Sequence, residues 1–232
     1  MIAHQSTDFP AQCQRTLRLA NRRANRLDSP PGISQDDPES VHCTTRGCPV
    51  ELTELHPVLR PCWAVADQVR EDLLATIRPV SPAQWRFRPA PGSWCIAEVV
   101  EHLLRAEIGT SKMARKLIRG DYRTWPLPAG ATLHTAGLNR YPYGQLTAPQ
   151  ELNPGPARDQ AELERDLGVA HARFRTELER FLGEDPEALR SPDPATGVWY
   201  TLGGWVKLQA WHEAHHVSQI RGILAAPGFP RE

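Results

Sequence analysis

The stretch GGWVKLQAWHEAHHVSQIRGIL, residues 203–224, decides how the rest of this chain is interpreted. Its apolar side chains recur at steps of three or four residues, which is the spacing of one face of an α-helix. The inward face is expected to carry Trp205, Leu208, His212, His216, Gln219 and Ile223. Three successive positions on that face are polar. Because an unpartnered buried polar group costs about 1–3 kcal/mol, these side chains must find partners inside the protein.

The histidine pair on this helix has two interpretations. Residues four apart lie one above the other on a helix face, so His212 and His216 can each point a ring nitrogen at one metal ion. A hydrogen-bonded pair of core histidines is the alternative. His215 is a rival ligand because it shares a face with His212. A third ligand must come from another helix, where His102, which borders an apolar stripe, and His171 are the candidates.

Three further stretches show the same helical period. Apolar stripes at steps of three or four run through residues 55–77, 96–117 and 163–181, each ended by Pro or Gly. No alternation typical of strands competes convincingly. Four amphipathic helices therefore predict an all-α fold, a four-helix bundle.

The connections between the helices differ in length. The first and third are short enough to join neighbouring helices. The connection between the second and third helices, residues 121–157, is long enough to cross the bundle or to cover a site. It carries Trp125, Tyr141 and Tyr143, which we expect to pack against a bundle end rather than line a pocket.

Composition divides the chain near residue 50. Residues 1–50 contain no Trp or Tyr and are rich in Asp, Ser, Pro, Gln and Arg, which predicts a flexible, disordered N-terminal arm. Residues 51–226 are the predicted bundle domain. The arm is expected to be dispensable for folding.

Charge and cysteine content restrict the partners and the compartment. The 27 basic and 27 acidic residues balance, so nucleic acid is not an expected partner. No apolar run approaches the roughly 20 residues that cross a bilayer, so no membrane is expected either. The five cysteines form no disulfide framework or zinc finger, and no signal peptide is recognisable, so we expect a cytoplasmic protein.

Two motifs carry a resemblance to a known family. The first is RFRPAPGSWCIAEVVEHL, residues 86–103, in which a Pro-Gly-rich turn and a Trp precede a helix bearing His-Leu. The second is WHEAHHVSQI, residues 211–220, which fits the pattern His-x-x-x-His-x-x-Gln-Ile. Together they resemble the DinB-like superfamily, over about residues 55–225. The resemblance implies a four-helix bundle in which three histidines hold a divalent metal.

Carried over residue by residue, the implied metal ligands are His102, His212 and His216, and His215 becomes a non-ligand neighbour. Three neutral imidazoles leave one coordination position open, as in catalytic rather than structural zinc sites. Zinc or nickel is the expected metal, because the Irving–Williams order places both above manganese. A low-molecular-weight thiol is a candidate second cofactor.

Two polar residues near these histidines are candidate catalytic groups. Glu98, one turn before His102, could orient a ligand imidazole or act as general base, or could only pair with the helix dipole. Gln219 could hydrogen-bond metal-bound water or substrate, or join helices as a buried amide. Ser93 is expected to cap the helix in place of Cys95, which is a poor cap. The other glutamates of these helices should face solvent or pair with basic side chains such as Arg105: Glu101, Glu107 and Glu213.

The leading functional expectation is a divalent-metal-binding enzyme of thiol S-transferase or hydrolase type that acts on a small molecule. The alternative is a non-catalytic stress or damage-response protein that binds a metal or a small ligand. A homodimer is the oligomer we consider, although the sequence does not specify the oligomeric state.

Overall fold

The structure is a computed structural model that describes residues 54–121, 126–144 and 148–231. The predicted N-terminal arm, residues 1–50, lies outside the described residues. Five α-helices occur within them: α1 (Leu59–Ile77), α2 (Pro82–Trp85), α3 (Ile96–Arg119), α4 (Gln160–Glu179) and α5 (Leu202–Leu224). The four long helices form the predicted bundle, and α2 is a single turn in the first connection. None of the described helices is both long and apolar enough to cross a membrane.

The order of the helices around the bundle differs from the one expected. Helix α1 packs against α5, α5 against α3, and α3 against α4, and a smaller contact between α4 and α1 completes the ring. The pairs α1 with α3 and α4 with α5 therefore lie diagonally, whereas α3 and α4 are neighbours. The expectation that the first and third connections join neighbours is wrong. Residues 78–95, which include α2, supply enough chain to cross the end of the bundle.

A small sheet adds to the helical fold. Strand β1 (Leu133–His134) lies in the long connection, and strands β2 (Arg190–Pro192) and β3 (Trp199–Thr201) precede α5. Strand β3 is central, parallel to β1 and antiparallel to β2. The all-α prediction is thus incomplete, because strands of two or three residues are too short to show alternation. The sheet ties the long connection to the segment that leads into α5.

The start of α5 touches the long connection backbone to backbone. Thr201 caps the helix, and its hydroxyl oxygen accepts a hydrogen bond from Gly204 N at 3.0 Å. A Cβ atom at Gly204 would collide with the carbonyl group of His134, and one at Gly203 would meet Glu187 and Ala136. Side chains are therefore excluded at both glycines, and β1 can lie directly on the helix.

Helix α5 is the central element of the bundle. Every residue from Leu202 to Trp211 is buried. A helix that is covered on all sides belongs to the interior rather than to an outer face. The single inward stripe predicted from the sequence underestimates this burial at the start of the helix, because α1, α3 and the small sheet cover different sides of it. Further along the helix the stripe is wrong for Gln219, which is exposed rather than inward.

The apolar core consists of two clusters, one toward each end of the bundle. All four long helices pass from one cluster to the other at a corresponding level. The transitions fall between Val69 and Leu73, between Leu104 and Met113, between Ala170 and Phe174, and between Ala214 and Val217. Several buried polar residues lie at or near this level, among them Arg70, Glu107 and His216.

Candidate metal centre

Three histidine side chains converge between α3 and α5. His212 Nε2 lies 3.1 Å from His102 Nε2 and 3.1 Å from His216 Nε2. One ligand atom from each of the three lies within 4.8 Å of the other two. The helix repeat explains the geometry of the α5 pair, since residues four apart share a face. Packing of α3 on α5 brings in the third ring.

The spacing and the protonation of this cluster suit a metal ion. Two nitrogens bound to one tetrahedral ion at about 2.0–2.1 Å lie about 3.3–3.4 Å apart, close to the 3.1 Å of this cluster. Burial lowers the pKa of His102 and His212, and burial together with the nearby His102 lowers the pKa of His216 to about 3. The rings are therefore neutral at physiological pH, and their lone pairs are available to a cation.

Hydrogen bonds at the far side of two rings direct them toward the centre of the cluster. His102 Nδ1 donates to the carbonyl oxygen of Leu152 at 3.0 Å, in the long connection. His216 Nδ1 donates to Gln219 Oε1 at 2.6 Å. When Nδ1 carries the proton, Nε2 keeps its lone pair for a metal. Gln219, a predicted catalytic candidate, thus acts here on the orientation of a ligand imidazole.

The two rival histidines lie outside the cluster. The His215 ring stacks on Tyr141, with ring centroids 5.0 Å apart and an interplanar angle of 26°. His171 is hydrogen-bonded to Asp67 at 2.9 Å and to Glu107 at 2.7 Å. Among the described residues, the structure therefore brings together the three histidines that the family resemblance implies.

Glu98 contacts the N-terminus of α3 and Arg88, and does not act as the general base or the partner of a ligand imidazole that the sequence suggested. Its carboxylate accepts a hydrogen bond from Cys95 N at 2.9 Å and pairs with Arg88 at 2.6 Å. Burial alone would raise the pKa of Glu98, but Arg88 and the Cys95 amide hold it below its usual range. Cys95 is the N-cap residue, so the expectation that Ser93 caps the helix is wrong. Cys95 and Glu98 form a capping box, in which the Glu98 carboxylate accepts from the Cys95 amide.

Aromatic rings surround the histidine cluster. Trp94 lies 5.1 Å from His102 and Tyr141 lies 5.5 Å from His212, measured between ring centroids. Burial raises the pKa of Tyr141 to about 12, so its hydroxyl keeps its proton at physiological pH. The long connection therefore contributes one wall of the site.

The aromatic residues of the long connection have different environments. Tyr143 packs as expected, and its hydroxyl oxygen accepts a hydrogen bond from Tyr200 at 2.7 Å. Tyr141 packs against the same core cluster and in addition contacts the histidine cluster, whereas Trp125 lies outside the described residues. The indole of Trp211 donates to the carbonyl oxygen of Leu138 at 2.9 Å, which fixes this part of the connection on α5.

A second polar cluster was not anticipated from the sequence. It consists of Arg70, Glu107, His171 and Glu213, one from each long helix, and is called the charged layer below. Arg70 stands four residues after Ala66 and three before Leu73, which is an inward position on α1. That spacing was the available signal. Glu101, Glu107 and Glu213 are all buried and do not face solvent. The other expectation for them, pairing with basic side chains, is confirmed, since Glu101 pairs with Arg105 and the other two pair with Arg70.

Comparisons with known proteins give the fold and the family of this chain. A structure described as "YfiT from Bacillus subtilis is a probable metal-dependent hydrolase with an unusual four-helix bundle topology" is similar, with a TM-score of 0.50 and 18% identity. The match covers 82% of this chain and 95% of that chain, and it shows a shared fold. No curated protein matches this chain significantly. The family model of the DinB superfamily matches residues 66–220, more than half of the sequence. The chain therefore belongs to the DinB superfamily, as the two sequence motifs predicted.

Proposed function

We propose that this protein binds one divalent metal ion through His102, His212 and His216 and uses it to catalyse a reaction of a small molecule. The convergence of three neutral imidazole nitrogens within 4.8 Å is the observation that carries the proposal. Among the described residues, no Asp, Glu or Cys joins this group. Three protein ligands and one open position are typical of catalytic metal sites.

The donor set favours zinc or nickel as the metal. Imidazole nitrogen suits both ions, and both exceed manganese in the Irving–Williams order. A site formed only by neutral ligands keeps the full positive charge of the ion. When bound, the ion would supply Lewis acidity and would lower the pKa of a thiol or a water molecule at the open position.

Thiol transfer is the reaction that the surroundings of the site favour. Activation of water is most effective with a nearby general base, and the carboxylate of Glu98 is already engaged by Arg88 and by Cys95 N. A low-molecular-weight thiol needs no such base, because its proton is lost readily beside a cation. The carbonyl oxygen of Leu152 and the side chain of Gln219 orient the ligand rings, and the rings of Trp94 and Tyr141 lie beside them.

Hydrolysis is the second candidate reaction. The observation in its favour is the description of the similar Bacillus subtilis protein as a probable metal-dependent hydrolase. A hydrolase on this chain would need a base other than Glu98. The balanced charge of the chain supports a small molecule rather than a nucleic acid as the substrate.

Titration of the cobalt-substituted protein with thiols tests the proposal. Glutathione, cysteine, bacillithiol and mycothiol are added in turn, and the electronic spectrum is recorded. Coordination of a thiolate should produce a charge-transfer band in the wild type and in the matched control His215→Ala, but not in His216→Ala. Turnover of a model electrophile should require the same thiol.

The outcomes separate the candidate functions. If no thiol changes the cobalt spectrum and none supports turnover, the thiol-transferase proposal fails and hydrolysis of model esters and amides is tested next. If metal is bound and neither reaction occurs, the protein is a non-catalytic metal binder. If no metal is bound, the whole proposal fails.

A further inference from the structure

Arg70 holds the centre of the bundle together. It is 5% exposed, and its guanidinium group reaches the other three long helices. On α5 it makes a two-pronged contact with Glu213, at 2.8 Å from Nε and 2.8 Å from Nη2. It also donates to Glu107 on α3 at 2.7 Å and to the carbonyl oxygen of Leu167 on α4 at 3.0 Å.

The charged layer continues from Glu107 to α4 and back to α1. The second carboxylate oxygen of Glu107 accepts a hydrogen bond from His171 at 2.7 Å, and His171 is also paired with Asp67 at 2.9 Å. Burial alone would lower the pKa of His171, but Asp67 and Glu107 raise it to about 9. At neutral pH two positive side chains, Arg70 and His171, face the two buried carboxylates. Each charged side chain of the layer therefore has an oppositely charged partner within hydrogen-bonding distance.

The charged layer is attached to the two helices that carry the histidine cluster. Glu213 directly follows His212 on α5, and Glu107 lies five residues beyond His102 on α3. The guanidinium group of Arg70 thus binds α3 and α5 close to the histidines that these two helices contribute to the cluster. Helix α1 supplies no histidine to the cluster, yet through Arg70 it fixes how far apart α3 and α5 lie and how they are aligned along their axes.

We propose that Arg70 is the positioning residue of the metal centre. The proposal rests on the metal site proposed above and assigns to the charged layer the task of keeping α3 and α5 in register for coordination. Metal–nitrogen distances tolerate errors of only about 0.2 Å, so a small shift of one helix weakens binding. Buried ion networks contribute little net stability compared with apolar residues of similar size, and the selection of one packing register is their best-attested use.

The decisive experiment compares the zinc affinity of a variant that lacks the ion pairs of Arg70 with the zinc affinity of the wild type. The triple variant Arg70→Met, Glu107→Gln and Glu213→Gln keeps similar volumes and leaves no unpaired carboxylate. Zinc affinity is measured by competition with a chromophoric chelator, and the ligand field of bound cobalt is recorded. We expect the variant to melt cooperatively, to bind zinc at least tenfold more weakly and to show an altered cobalt spectrum.

A matched control removes another ion pair that involves α4. Arg78, which follows α1 directly, pairs with Glu164 of α4 at 3.4 Å, and neither residue contacts α3 or α5 through this pair. Arg78→Met should bind zinc like the wild type and leave the cobalt spectrum unchanged. An equal weakening in this control would mean that general loosening, not positioning by Arg70, affects the site.

Other outcomes are equally clear. Wild-type zinc affinity in a folded triple variant overturns the positioning role while leaving the metal site intact. If the triple variant does not fold, zinc affinity is measured in Arg70→Lys, which keeps the charge and loses the two-pronged contact. Wild-type zinc affinity in Arg70→Lys also overturns the proposal. Failure of the wild type itself to bind metal contradicts the proposed function rather than this inference.

Discussion

The histidine cluster and the charged layer place the same kind of side chain in opposite electrostatic environments. His216 has its pKa lowered to about 3 by burial and by the nearby His102. His171, also largely buried, has its pKa raised to about 9 because Asp67 and Glu107 outweigh the effect of burial. The carboxylates account for the difference, since two of them contact the His171 ring, whereas among the described residues no Asp or Glu joins the histidine cluster.

This contrast separates a polar region whose charges are paired with one another from a histidine cluster whose geometry supports the metal binding proposed above. In the charged layer, every charge already has an opposite charge beside it. In the histidine cluster, three neutral rings direct one nitrogen each toward a common centre, within 4.8 Å of one another. Lone pairs held in this way by surrounding packing are a favourable arrangement for an incoming metal ion.

Removal of a ring from the histidine cluster should have the largest effect. We predict that His212→Ala abolishes stoichiometric metal binding, because His212 Nε2 is the atom that lies 3.1 Å from both other rings. Elemental analysis of protein purified without chelator should give about one equivalent for the wild type and none for the variant. The neighbouring variant His215→Ala should retain its metal. Loss of metal in His215→Ala with retention in His212→Ala would move the site to other ligands.

Removal of an orienting group should have an intermediate effect. We expect Gln219→Ala to weaken metal binding by about 10–100-fold, the usual cost of losing a hydrogen-bonding partner of a ligand imidazole. The ring of His216 would remain but would lose the acceptor at 2.6 Å from its Nδ1. Competition titrations with a chelator give the ratio of affinities, and Ser218→Ala on the adjacent turn position is the control. Equal affinities of wild type and Gln219→Ala would show that this hydrogen bond does not support the site.

The smallest effect should appear in the pH dependence of stability, and it concerns only the charged layer. His171 has a folded-state pKa of about 9 against an ordinary value of 6.5, so its charge stabilises the fold fully below pH 6.5. This contribution is lost as the pH rises through about 9. We expect the wild type to lose unfolding free energy over this interval relative to His171→Gln, with an upper bound of about 3 kcal/mol set by the difference between the two pKa values. Urea titrations at several pH values measure the difference, and parallel curves for the two proteins would contradict the expected charge on His171.

Much of the histidine site could be predicted because its information is local. The four-residue step between His212 and His216 specifies a shared helix face, and the motif that ends in His102-Leu103 supplies the third ring. The helical class followed from apolar stripes of many residues. By contrast, strands of two or three residues carry no period, so the sheet could not be anticipated.

The relations between distant segments could not be derived in the same way. The length of a connection sets what it can span but not where it goes, and the first connection uses its length to cross to a diagonal position. Arg70 meets Glu107 and Glu213 only after four helices have packed, because these residues are 37 and 143 positions away along the chain. No spacing rule within one helix identifies such partners.

The contact between Gly204 and His134 has a consequence for how this protein can change over time. At β1, the main chain of the long connection lies directly on α5. This contact is possible because Gly203 and Gly204 have no side chains. The side chains further along the connection, including Tyr141, do not determine where the connection lies at that point. Replacements near residue 141 can therefore reshape the wall of the site without displacing the scaffold. Sequence variation should therefore accumulate there, while the glycine pair stays constant.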